Sequence, residues 1–264
     1  MPKKKKFRAK ELKRDPFYEW YERRAEWARR HRAEIRRTVF TTVTMLVLLA
    51  VGVGGYSVWK MSAEKRLARA FDLFNAPVGE TSATNSQLQP HFKTEEQKYR
   101  AALQAYKRVS DAWYYSFSEY GEQARYYVAL CQLHLNAPEG EKLLEELAKG
   151  DTVTARLAQV ALAEHFIASG EPARARELYR ALVKDPGPLP AAQVKLALAR
   201  ALALEGKKEE AVALYVEVAK AEAQKPDGQE AILRLAELDP AALDEIPQSS
   251  STPPPDALAR YRKK

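Results

Sequence analysis

Two patterns of hydrophobic and polar residues divide the sequence. Thr38 to Trp59 form a run of 22 residues without a charged side chain, although the mean hydropathy of the whole chain is −0.48. From about Ser62 to Pro240 the apolar positions recur with helical spacing, Ala, Leu, Glu, Lys and Arg dominate, and Gly or Pro marks the breaks. The alternation that indicates β-strands is not detectable in this region. The pattern predicts an all-α protein in which an apolar helix precedes a helical domain.

The charge-free run is long enough to cross a membrane. As an α-helix it would measure about 33 Å, against roughly 30 Å for a hydrocarbon core. A buried core helix is the alternative, but core helices of this length usually keep a polar stripe, and only Thr and Ser interrupt this run. Tyr56 and Trp59 lie at one end, where amphipathic rings prefer the headgroup level. The sequence predicts a transmembrane helix over 38–59, in which the small residues Ala50 and Gly54 would let a second helix approach closely.

Charge is distributed unevenly along the chain. The first 37 residues contain 15 Lys and Arg against 6 Asp and Glu, and the remainder contains 28 against 29, so the net charge of +8 comes from the N-terminal segment. A neutral body argues against nucleic-acid binding across the surface. Seven Arg lie in the twenty residues before the apolar run, and four Lys or Arg lie in the twenty after it. The bias predicts a cytoplasmic N-terminus and, in a bacterium, a periplasmic domain on a single-pass inner-membrane protein.

A cleaved signal peptide is the alternative to a retained anchor. Arg36 and Arg37, followed by Thr38, faintly resemble a twin-arginine signal. The apolar run is longer than the roughly 7–15 residues of a signal peptide, and no A-x-A cleavage site follows it. A retained anchor therefore fits the sequence better.

The basic N-terminal segment, residues 1–37, has its own helical pattern. Asp15 and Pro16 are typical of a helix start. Aromatic and basic side chains then recur along one helical face: Phe17, Trp20, Tyr21, Arg24 and Trp27. Such a face suits the surface of an anionic leaflet. Docking onto a cytoplasmic or membrane partner is the alternative interpretation.

Two segments of the helical domain repeat at a constant offset of 36 residues. The matched pairs are Ala163 and Ala199, Gly170 and Gly206, Ala175 and Ala211, and Tyr179 and Tyr215. Small residues let the two helices of a unit pack closely, Gly ends the first helix with a positive φ, and Tyr fills the buried face of the second. This arrangement resembles the tetratricopeptide repeat, a stack of helical hairpins, and predicts an α-solenoid.

The sequence around this pair predicts the rest of the domain. At an offset of 34, Ala129 matches Ala163 and Leu144 matches Leu178, while Asn136 replaces the glycine. Further elements are predicted as follows: helices near 63–75 and 94–115, a polar loop at 77–93, and a capping helix near 228–238. The helical domain would span 60–240. Residues 241–264 are rich in Ser and Pro and cannot bury enough apolar surface to offset the ordering entropy, which predicts a disordered tail.

Candidate chemistry is sparse. Motifs for a nucleophilic serine, a phosphate-binding loop and a zinc protease do not occur in the sequence. The single Cys131 excludes a disulfide framework and a multi-cysteine zinc site, and its leucine neighbours indicate a buried, inert thiol. The four histidines show no close pairing: His31, His91, His134 and His165. We expect no enzyme activity, no cofactor and no bound metal.

A cluster of aromatic residues is the one feature that suggests a binding surface. Seven rings lie within fifteen residues: Trp113, Tyr114, Tyr115, Phe117, Tyr120, Tyr126 and Tyr127. Packing between repeats would account for about four of them, because one turn and two helix ends cannot bury all seven rings. We expect the remainder to be exposed and to bind peptide-like partners.

The order of these parts resembles the YfgM family of ancillary Sec-translocon subunits. The matching features are the arm DPFYEWYERRAEWARRHR, the end of the span in YSVWKMSAEKRLARAF, and the outer repeat array, together roughly residues 15–240. The resemblance implies a scaffold in the inner membrane that associates with translocon subunits, periplasmic chaperones or emerging polypeptides. This chain departs from the family pattern by a longer basic start, the loop at 77–93 and the Pro- and Ser-rich tail.

Two other function classes remain open from the sequence. Similar repeats would suit a cell-envelope assembly or polysaccharide-export factor, which would bind envelope machinery instead of the translocon. A divergent repeat array could also hide an enzyme, which would require a polar cluster in a buried cleft.

Overall fold

The computed structural model describes residues 16–79 and 90–246. Within these ranges the helices follow in this order: α1 (Pro16–Arg30), α2 (Arg32–Phe74), α3 (Glu95–Ser110), α4 (Glu119–His134), α5 (Glu139–Leu147), α6 (Val153–Ala168), α7 (Pro172–Lys184), α8 (Ala191–Leu204), α9 (Lys208–Ala221), α10 (Pro226–Leu238) and a 3-10 helix (Pro240–Glu245). The described ranges contain no sheet, only an isolated bridge between Val78 and Phe92. The protein is all-α, with an apolar N-terminal helix followed by a tetratricopeptide-like α-solenoid.

Several predictions lie outside the described residues. These are the start of the basic segment up to residue 15, most of the polar loop (80–89) and the tail from residue 247 onward.

The chain divides into two units, residues 1–62 and 63–264. In the first unit α1 carries the predicted aromatic face. The rings of Phe17 and Trp20 stack with centroids 5.9 Å apart, the Arg24 guanidinium carbon lies 5.8 Å from the Trp20 ring, and Trp27 stacks on His31. The side chains of Phe17, Trp20 and Trp27 are at least half exposed. Helix α1 therefore presents apolar rings and positive charges together.

The second unit is an array in which each helix packs mainly against its neighbours in the chain. Contacts run in sequence from α3 to α10, and next-but-one contacts join α4 to α6 and α8 to α10. Polar N-caps start three of the helices, since the side-chain oxygens of Thr94, Ser118 and Thr152 accept backbone N–H bonds. Local contact of this kind is the hallmark of a repeat array.

The helical hairpins α6–α7 and α8–α9 share their packing, as the 36-residue offset implies. Gly170 and Gly206 have φ values of +79° and +86° and end the first helix of each hairpin. The small residues and tyrosines that the offset pairs are all buried: Ala163, Ala199, Ala175, Ala211, Tyr179 and Tyr215. One hydrophobic core runs through both hairpins.

The degenerate unit is the hairpin α4–α5, and its alignment needs a correction. Asn136 ends α4 with a φ of 55°, so it adopts the left-handed conformation that glycine supplies in the other hairpins. Leu144, however, is fully buried, whereas Leu178 is only half-buried. Leu144 therefore takes the place of Tyr179 at an offset of 35, because the α4–α5 connection is one residue shorter.

Two predicted boundaries were wrong. The helix expected over 94–115 ends at Ser110, where Asp111 caps it, and residues 112–118 form a series of turns. The domain does not end at residue 240, because Ala242 and Ile246 are buried against the core. Pro240 starts a 3-10 helix instead of stopping the fold, since proline is tolerated in the first turn of a helix.

Candidate interaction surfaces

The apolar part of α2 is uncovered. Helix α2 is the only helix of the described ranges that is long and apolar enough to cross a membrane, by length and composition. Its large apolar side chains between Val39 and Val58 are 52% exposed or more. A Cβ added to Gly52, Gly54 or Gly55 would meet nothing within 4 Å. Because so large an exposed apolar surface is unstable in water, this segment requires an apolar environment.

The free faces of α6 and α8 form a second surface, joined by a polar contact. Tyr179 Oη donates to Glu164 Oε1 at 2.6 Å, and Arg200 Nη1 lies 3.2 Å from Glu164 Oε2. Burial, helped by the hydrogen bond to Glu164, raises the pKa of Tyr179, so its hydroxyl stays protonated. Glu164 and Arg200 are themselves related by the 36-residue offset. Extending the repeat alignment to polar positions would have found this pair.

Apolar side chains surround the Glu164–Arg200 pair. On α6, Val153 and Leu157 are exposed, and on α8 Leu204 is 57% exposed. These residues share helix faces with the pair, since they lie at multiples of about one helical turn from it. The result is an apolar stripe with one acid and one base near its middle. We call it the stripe: Val153, Leu157, Glu164, Arg200 and Leu204.

The aromatic cluster is split between surface and interior. Trp113, Tyr114 and Phe117 are exposed in the turns between α3 and α4. The other four rings are buried or half-buried: Tyr115, Tyr120, Tyr126 and Tyr127. Three exposed rings are left for a partner, and the binding role of the cluster remains a prediction.

Inward-facing aromatic rings join the end of α2 to α3 and α4. Phe74 packs edge-on against Tyr99 and Tyr127 with centroids 5.5 Å from each, and Tyr127 stacks on Tyr106 at 4.8 Å. His134 stacks on Tyr99 at 4.0 Å. The last three turns of α2 therefore belong to the folded array.

The polar and sulfur groups singled out in the sequence have structural partners. Cys131 is buried, and burial raises the pKa of its thiol to about 12, so it is not a nucleophile at neutral pH. His165 Nε2 lies 3.6 Å from Glu141, and Arg174 binds Glu141 and Glu145. Within the described ranges, no three His, Cys, Asp or Glu side chains are grouped to hold a metal ion.

The comparisons with known proteins concern the fold. No protein-family model matches the chain, and no curated protein matches it. The chain is similar to two crystal structures of a Podospora anserina protein, described as a kinesin light chain, with nearly identical TPR-like repeats. One structure, of a single-substitution variant, shares 18% identity at a TM-score of 0.47, over 57% of this chain and 85% of that chain. The other shares 17% identity at 0.48, over 64% and 92%.

Proposed function

We propose that this protein is a membrane-anchored scaffold that binds other proteins through its helical repeats, as an accessory of the Sec translocon and of periplasmic chaperones. Residues 38–59 span the bacterial inner membrane once, with the N-terminus in the cytoplasm and the repeat array in the periplasm. Ala50 and Gly54 offer a close-packing site for a translocon helix in the membrane. The protein performs no chemistry of its own.

The uncovered apolar segment of α2 carries this proposal. Apolar side chains such as Leu48 and Leu49 are exposed around the whole helix, and no charge occurs within the run. A bilayer is the environment in which such a surface is stable. Helix α2 continues without a break from this segment to Ala63, Leu67 and Ala70, which are buried in the second unit. This continuity favours a retained anchor over a cleaved signal.

The stripe supports a role in protein binding. Apolar side chains provide affinity for an extended or helical segment, while Glu164 and Arg200 orient polar groups of the partner. The pair is held in place before binding by Tyr179, so little ordering is needed when a partner arrives. Anchoring raises the local concentration of the stripe near other membrane proteins.

Site-specific photo-crosslinking in intact membranes tests the proposed function. A photoreactive residue replaces Leu157 or Leu204 in the full-length chain, and mass spectrometry identifies the captured proteins. We expect translocon subunits or periplasmic chaperones from both positions. A matched control at Lys184, an exposed residue at the end of α7, should capture these proteins much less. Capture of envelope-assembly machinery, or equal capture from the control position, would contradict the proposal.

A further inference from the structure

The turns between α3 and α4 expose three aromatic side chains in a short segment. Phe117 is 104% exposed, Trp113 82% and Tyr114 41%. We call residues 111–118 the aromatic turn. Rings of this size are the largest apolar groups a protein has, and surfaces seldom leave several together in water without a function.

The aromatic turn is held in one shape from behind. Tyr115 is buried, and its backbone N–H closes a turn hydrogen bond of 2.8 Å. The Ser118 hydroxyl donates to the Tyr115 carbonyl at 2.7 Å, and Gly121 fits so closely that an added Cβ would lie 2.2 Å from that carbonyl oxygen. The fold therefore fixes a turn from which Trp113 and Phe117 protrude.

A hydrogen bond relates the aromatic turn to a position on α2. Tyr120 Oη, two residues after the turn, donates to Glu64 Oε1 at 3.4 Å, and the adjacent Ala63 is fully buried. Glu64 follows Trp59, the end of the apolar run, by five residues of helix, a rise of about 7.5 Å. A headgroup layer is about 5–8 Å thick. Glu64 thus lies at the outer edge of the headgroups if 38–59 spans the bilayer.

We propose that the aromatic turn is a second membrane contact, in which Trp113 and Phe117 insert into the interface of the leaflet that holds Tyr56 and Trp59. Trp and Tyr favour this depth because one end of the ring is apolar and the other polar, and Phe adds apolar area. Lipid suits this turn better than a peptide, because a fully exposed ring protrudes, whereas peptide-binding side chains line a concave surface. The inference rests on the proposed anchor.

Tryptophan fluorescence of the full-length chain in vesicles of phosphatidylcholine and phosphatidylglycerol tests this contact. The chain has four Trp, so the changes Trp20→Phe, Trp27→Phe and Trp59→Phe leave Trp113 as the only reporter. We expect its emission to shift to the blue of water-exposed Trp. Lipids brominated near the headgroup should quench it more than lipids brominated near the terminal methyl group.

The pattern of quenching decides between lipid, water and protein around Trp113. Quenching by external iodide without quenching by brominated lipid would overturn the inference. Protection from both quenchers would also overturn it, since protein would then cover the ring. A second variant that keeps only Trp59 tests the anchor: if Trp59 also escapes lipid quenching, the proposed function fails. If only Trp113 escapes, the aromatic turn alone is misassigned.

Two further variants serve as controls. Leu233→Trp, in a chain whose four native Trp are replaced by Phe, puts the reporter on an exposed site of α10. Iodide should quench this reporter and brominated lipid should not. Phe117→Ser in the Trp113 reporter should lower lipid quenching at least twofold, and the helical circular dichroism should stay unchanged because Phe117 is fully exposed. Unchanged lipid quenching would contradict insertion of the turn as a unit.

Discussion

Helices α2 and α8 are both rich in apolar residues, yet their side chains have opposite environments. In α8, Leu198 and Leu202 are 5% and 2% exposed, whereas in α2, Leu48 and Leu49 are 67% and 59% exposed. Apolar content alone would assign both helices to a core.

The distribution of charge separates the two helices. Helix α8 carries Lys195 and Arg200, whose side chains reach Glu217 and Glu164 at the surface of the array. One face of α8 is therefore polar and the rest is covered by neighbouring helices. The apolar run of α2 has no charge on any face over 22 residues, so no face of it is suited to water. The lesson is that a missing polar face indicates a membrane helix more reliably than hydrophobicity does.

Charges placed in the apolar run of α2 should have the largest effect. Leu48→Lys combined with Leu49→Lys costs about 6 kcal/mol in membrane insertion, at roughly 3 kcal/mol for each central charge. The variant should be lost from membranes washed with alkaline carbonate. Leu204→Lys, at an exposed site of α8, is the control and should stay in the membrane fraction. Equal retention of both variants would mean that α2 is not the anchor.

Truncation of a buried leucine tests the α8 side of the comparison. Leu202→Ala should lower the free energy of unfolding of the array by about 3 kcal/mol, because it leaves a cavity. Leu204→Ala, two residues away and exposed, should change it by less than about 0.5 kcal/mol. Denaturant titration of the detergent-solubilised chain, followed by circular dichroism, measures both. Similar losses would show that α8 is not oriented as described.

A glycine between helices sharpens the contrast between packed and uncovered helices. A Cβ on Gly140 would lie 2.8 Å from the backbone of both Ala129 and Leu133, so Gly140→Ala should destabilise the array by about 2 kcal/mol through overpacking. The matched change Gly150→Ala meets its nearest atoms at 3.4 Å and should be nearly neutral. In the apolar run, Gly54→Ala should leave the unfolding of the array unchanged. The same denaturant titration ranks the three.

The end of α4 gives a smaller effect. Asn136→Ala forces alanine into the left-handed region and should cost about 1 kcal/mol, while Asn136→Gly should be neutral or stabilising. Thermal unfolding of the two variants provides the comparison. The opposite order would show that the α4–α5 hairpin does not end as the glycine-terminated hairpins do.

Titration of His134 should have the smallest effect. Burial, followed by the nearby charge of Lys98, lowers the pKa of His134 below its ordinary 6.5. The folded state therefore binds this proton less readily than the unfolded state, and stability is present above pH 6.5 and declines as the pH falls below it. His134→Gln should reduce this slope in denaturant titrations between about pH 5 and pH 7. An unchanged slope would assign the dependence to other groups.

The sequence predicted the repeats well where small and large residues recur at fixed spacing. Gly170 and Gly206 end their helices, and a helix occurs where the cap was expected, because both depend on local pattern. The end of α3 was missed, since no Gly or Pro separates Ser110 from the aromatic residues that follow. Only the later Ser118 cap and Gly121 signal the break. Tertiary packing decides such boundaries.

The surfaces were harder to predict than the helices. Burial of Tyr115 and exposure of Phe117 depend on how one turn folds over Gly121, which spacing alone does not reveal. The Glu164–Arg200 contact depends on two helices that are 36 residues apart in the chain. Sequence patterns give the faces of single helices, while a surface needs the arrangement of several.

Protease treatment of intact bacterial spheroplasts tests the central claim most directly. The claim is that α2 anchors the chain and that the repeats lie outside the cytoplasm. Protease should remove the residues after Trp59 and leave a protected, membrane-bound N-terminal fragment of about 60 residues. A fully protected chain that is digested only after lysis, or a chain released without detergent, would contradict the account.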